Sequence, residues 1–162
     1  MTSLLDSALI PFNALWSITP DHHLYWIMPA TAFLAGTLAV RMMMGLCHAK
    51  RGILQAFGGL LFPTALTLLT FALIYQHGAP LIENHALKNL ALYAIPALVL
   101  ILSLVTFGPS LMGFGRMGTV FIFALGMGLG LFASVISEHI IESMSTSAGV
   151  IEDREQRIRS QN

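Results

Sequence analysis

The sequence predicts an all-α membrane protein, a four-transmembrane-helix bundle with an N-terminal amphipathic interfacial helix. Three observations predict it. First, 56% of the 162 residues are hydrophobic and only 10% are Asp, Glu, Lys or Arg, against about 25% charged in a soluble domain. Second, four apolar stretches cover residues of about 24–45, 52–76, 90–107 and 117–137, each close to the roughly 20 residues that cross a bilayer as a helix. Third, the charges sort by side. If each stretch spans, Arg41, Lys50, Arg51 and Arg116 share one face and every Asp and Glu lies on the other. Strand-like alternation is absent, and backbone groups in lipid must bond internally, so the spans are helices.

Taken in order, residues 1–19 form the interfacial segment. Leu4, Leu5, Ala8, Leu9, Phe12, Leu15 and Trp16 recur at helical spacing over residues 3–16, with Asp6, Ser7 and Asn13 between them and Pro11 as an interruption. The segment is too short to span. It lies in the headgroup plane with Trp16 as an anchor, or it packs on a partner protein. The transmembrane domain occupies residues 20–142. Thr19, Pro20 and Asp21 suit a helix start as cap, first-turn proline and N-terminal acid. Tyr25 and Trp26 belong at the interface. The first span ends in the basic run from Arg41 to Arg51.

The second span holds Pro63. Thr64, Thr67 and Thr70 follow it, placed to bond freed carbonyls or a neighbouring helix. A polar loop is expected over 76–89. The third span contains Pro96, and Pro109 falls in a glycine-rich link to Arg116. The fourth carries Gly126, Gly128 and Gly130. A polar tail covers 143–162, with helix continuing over 138–146 and a helix-supporting Glu155–Arg159 pair beyond. Both halves share a span, a basic link and a second span, without the residue match that would establish duplication.

The positive-inside rule places the links between spans 1 and 2 and between spans 3 and 4 in the cytoplasm. Both termini are then outside, in a bacterial inner membrane. Net charge is zero, so nucleic acid is not an expected partner. Cys47 is the single cysteine, which excludes an intrachain disulfide. No Lys or Arg precedes Arg41, so the N-terminus lacks the positive region of a secretory signal.

Several groups carry candidate chemistry. The acidic face collects His22, His23, His77, His85 and His139 with Asp21, Glu83, Glu138 and Glu142. Imidazole and carboxylate ligate zinc, copper and iron, so His77, His85, Glu138, His139 and Glu142 form a candidate metal set. Its spacing matches no known motif, and helix ends collect polar residues in any case. Met43, Met44, Cys47 and His48 offer soft ligands at i+3 and i+4, but methionine is also ordinary gap-filling. Arg41, the one charge well inside a span, suits lipid phosphate, a partner subunit or a transport path. Lys50, Arg51 and Arg116 join it as lipid or partner contacts. Gly126 and Gly130 form a small-xxx-small pair for helix packing.

No nucleophile–base pattern or phosphate loop is present, and neither catalysis nor a cofactor is expected. The leading expectation is a small integral subunit that scaffolds or anchors a larger membrane complex. Its partners are the bilayer and other membrane protein subunits, in a hetero- or homo-oligomer. A small oligomeric channel or transporter is the first alternative. A metal or redox site on the acidic face is the second.

Overall fold

A computed structural model of the chain describes residues 4–13, 16, 25–49 and 51–160. It is all-helical among these residues, with α1 at Leu4–Asn13, α2 at Ile27–Leu46, α3 at Ile53–Leu73, α4 at His85–Met112 and α5 at Arg116–Ser160. The last turns of α3 widen into a π-helix at Ile74–Gly78 and then tighten into a 3-10 turn at Ala79–Leu81. Among the described residues, four segments are long and apolar enough to cross a membrane: Ile27–Leu46, Ile53–Leu81, His85–Met112 and Arg116–Met144. The chain is a multi-pass membrane protein built as a four-helix bundle.

Around the bundle the order is α2, α5, α4, α3. The closest pairings are α2 with α5 and α3 with α4, while α2–α3 and α4–α5 form looser seams. The two short links, Cys47–Gly52 and Gly113–Gly115, meet at one end, hereafter the basic end. There Arg51 lays its side chain against Gly113, its Cγ and Nε each 3.2 Å from where a Cβ would stand. Gly113 adopts φ 78°, the left-handed conformation that closes a helix C-terminus. The Gln55 side-chain carbonyl accepts from Gly52 N–H at 2.7 Å and caps the start of α3.

The half of the bundle near this end is filled solidly. Val40, Met44, Ala56, Leu60, Leu104, Met112, Ile122 and Phe123 form its buried core. Gly59 lets the Met112 side chain lie directly on α3, with Met112 Cε 2.8 Å from the position a Cβ would take. Outward faces remain apolar. Leu34, Leu54, Leu98 and Phe121 are all more than half exposed, as lipid contact requires.

Helix boundaries differ from the sequence expectation in three places. The third span begins at His85, not near residue 90, because Asn84 caps it; its Oδ1 accepts from Ala86 N–H at 2.9 Å. It runs through Pro109 to Met112, so the glycine-rich link shrinks to Gly113–Gly115. The fourth helix continues unbroken from Arg116 to Ser160, absorbing most of the expected tail. None of Pro63, Pro96 and Pro109 breaks its helix. Thr64, Thr67 and Thr70 each donate to the carbonyl one turn back on their own helix, at 2.7–2.8 Å.

At the acidic end, α1 is a continuous helix through Pro11 and packs on α3 and its π turn. Gln76 Nε2 donates to Ser7 Oγ at 3.0 Å to hold it there. Trp16 is not a headgroup anchor. It is 4% exposed, and its Nε1–H donates to Ser134 Oγ at 3.1 Å. Its ring meets Tyr25 edge-on at 5.7 Å, and Tyr25 is buried with it while Trp26 faces outward. The expected helix start at Thr19, Pro20 and Asp21 lies outside the described residues.

Candidate functional site

Two regions hold the polar and basic candidates, and a third is formed by the packing itself. At the acidic end, His77 sits in the π turn, His85 opens α4, and Glu138, His139 and Glu142 follow one another on α5. Glu138 is buried; the other four are exposed. Glu138 and Glu142 both have partners. Among the described residues, no three His, Cys, Asp or Glu side chains come close enough to hold a metal ion. His22, His23 and Asp21 lie outside the described residues. Just beyond α2, burial pushes the Tyr25 hydroxyl above its ordinary pKa of 10.0.

At the basic end, the soft-ligand set is divided by burial. Met44 is fully buried in the core, whereas Cys47 and His48 are exposed. Arg51 is half-buried beside Gly113, and Arg116 is exposed at the start of α5. Lys50 lies outside the described residues. Arg41 is half-buried, and its guanidinium is drawn toward the end of α2, with Nη1 3.7 Å from the Cβ position of Gly45. That posture brings the charge from inside a span toward the headgroup layer.

Gly126 and Gly130 are both buried against α2. A Cβ on Gly126 would stand 2.5 Å from Val40 Cγ2, and one on Gly130 would run into the Ala32 carbonyl. Gly36 completes the contact from α2, its Cβ position 2.9 Å from the Gly126 carbonyl oxygen. Three missing side chains therefore set the α2–α5 distance.

The third region was not anticipated. Along the loose α2–α3 seam runs an apolar groove of about 530 Å³, lined from α2 by Trp26, Ala30, Phe33, Leu34 and Thr37 and from α3 by Ile53, Leu54, Phe57 and Leu61. Behind it, in the half of the bundle near the acidic end, is an internal cavity of about 180 Å³. Trp26, Pro29 and Phe33 line both spaces; Trp16, Leu68, Met127 and Leu131 close the inner one. Thr37, 4% exposed, is the groove's polar exception, and its hydroxyl has no hydrogen-bond partner. The clue in the sequence was the spacing of Thr37 one turn before Arg41, which gains meaning only once α3 stands opposite. Comparison with protein families, with curated proteins and with solved structures returns no match.

Proposed function

We propose that the chain is a small integral subunit that anchors or scaffolds a larger membrane assembly, without catalysis of its own. The observation that carries this reading is the length of α5. The apolar run of α5 gives way at Glu138, yet the helix continues to Ser160, about 33 Å further at 1.5 Å per residue. α2, its closest neighbour, begins only at Ile27, opposite the stretch of α5 that holds Ser134 and Ile141. Residues 145–160 therefore continue past the bundle. A helical arm of this size is marginal alone in water, and helices in proteins draw most of their stability from packing. The arm is rich in charge, with Glu152, Asp153, Arg154, Glu155, Arg157 and Arg159, which suits an aqueous partner surface. The solid apolar core at the basic end supports the same reading over an aqueous pore through a single bundle. The charge bias supports a cytoplasmic basic end in a bacterial inner membrane.

The test is purification of the full chain, and of a chain ending at Met144, in a mild detergent. The full chain is expected to bring down a defined subunit in stoichiometric amount. The shortened chain should keep its helical circular dichroism and lose that subunit. Ion or solute flux from the purified full chain alone in liposomes would overturn the reading in favour of a channel or carrier.

A further inference from the structure

The groove between α2 and α3 has the parts of a lipid site, in the right order. Its apolar length faces the bilayer. On α2 the lining steps from Trp26 through Ala30, Phe33 and Leu34 to Thr37 at helical spacing. The next residue on that face, four further on, is Arg41, the only charged residue in α2 and α3. Its guanidinium continues down the same face to Gly45. The face thus reads apolar, then hydroxyl, then cation, going toward the basic end.

The hydroxyl is the discriminating feature. Thr31, Thr64, Thr67 and Thr70 all satisfy their hydroxyls by donating to a carbonyl one turn back, at 2.7–2.9 Å. Thr37 is on the same helix as Thr31 and equally able to do so, yet its Oγ1 is buried without a partner. An orphaned buried hydroxyl costs free energy that a donor–acceptor contact would recover. The charge is equally open to a ligand: the described Asp and Glu residues all lie at the other end of the bundle.

We propose that this groove binds one anionic glycerophospholipid from the leaflet at the basic end. The lipid phosphate rests on the Arg41 guanidinium, whose planar fork matches phosphate oxygens. An ester carbonyl, deeper in the leaflet, accepts from the Thr37 hydroxyl once that side chain turns its buried Oγ1 into the groove; the two residues stand one turn apart, about 6 Å of helix rise. One acyl chain fills the groove beyond it, between Leu34 and Phe57, toward Trp26. The groove volume of about 530 Å³ falls within the roughly 300–1,000 Å³ of ligand sites. Charge complementarity selects the headgroup, and the missing partner of Thr37 distinguishes this lipid from the ordinary annulus.

Of the two tryptophans, Trp26 lines the groove and Trp16 the cavity behind it, so acyl-chain occupancy is readable by fluorescence. The full chain is reconstituted in phosphatidylcholine bilayers and titrated with phosphatidylglycerol or phosphatidylcholine brominated on the acyl chains. Brominated phosphatidylglycerol is expected to quench at a several-fold lower mole fraction and to saturate. Thr37→Val, which keeps the side-chain shape, should raise the half-quenching mole fraction by roughly three- to tenfold, the worth of one hydrogen bond. Arg41→Gln should abolish the preference while leaving quenching by brominated phosphatidylcholine unchanged, which also reports that the variant is folded. Equal quenching of the wild-type chain by the two lipids would mean annular lipid only and would overturn the proposal. So would a Thr37→Val curve that superimposes on the wild type, a comparison that holds even if Arg41→Gln fails to insert.

Discussion

Buried hydroxyls show how much one side chain can carry in this bundle. Thr119 is fully buried, its Oγ1 has no hydrogen-bond partner, and its methyl group fills the space over Gly108. Unlike Thr37 it lines neither the groove nor the inner cavity, so its hydroxyl is a cost without a return. Thr119→Val keeps the methyl on Gly108 and removes the orphan. It is expected to stabilise the bundle by about 1 kcal/mol in a detergent-titration unfolding assay. Thr119→Ser, which keeps the hydroxyl and deletes the methyl, should destabilise it by a similar amount through lost packing. Equal stability of Thr119→Val and wild type would mean that the hydroxyl is satisfied after all. None of this was legible in the sequence, where Thr31, Thr37 and Thr119 look alike. Trp16 teaches the same lesson. Its amphipathic ring suited a headgroup anchor, but its actual partner, Ser134, lies 118 residues away. Side-chain roles that depend on distant neighbours do not show in local pattern.

Elements were more legible, because a span is set by length and hydropathy, both of which are local. The four spans fell where the apolar runs lie, and the errors were at their ends. Hydropathy stops at the membrane surface, whereas a helix stops where its backbone groups find other partners. Hence α4 starts at the Asn84 cap and α5 runs on to Ser160. Gly126 and Gly130 were visible as a motif, but their partner Gly36 and the choice of α2 over α4 were not. The contact separates the α5 glycines sharply. Gly130→Ala drives a methyl group into the Ala32 carbonyl and should cost about 1–3 kcal/mol by forcing α2 and α5 apart. Gly128→Ala meets nothing within 4 Å and should be neutral or stabilising by up to about 1 kcal/mol. Both are read by the same unfolding assay. Equal effects of the two substitutions would remove the close α2–α5 approach as an organising contact.

At the scale of the whole molecule, the charge sorting and the helix ring together define two ends. The Cys47–Gly52 and Gly113–Gly115 links converge at the basic end, while α1, the π turn and the long arm of α5 gather at the acidic end. Basic residues near span ends resist translocation, so the basic end should face the cytoplasm. The sequence provides its own probe, since Cys47 is the one cysteine and is exposed at that end. In intact cells, a membrane-impermeant maleimide is expected to leave the chain unlabelled and to label it fully after permeabilisation. His85→Cys in a Cys47→Ser background moves the thiol to an exposed position at the acidic end and should reverse the result, with labelling before permeabilisation. Labelling of Cys47 in intact cells would invert the orientation. It would also carry the α5 arm to the cytoplasm, changing which compartment must supply the partner that the arm docks on.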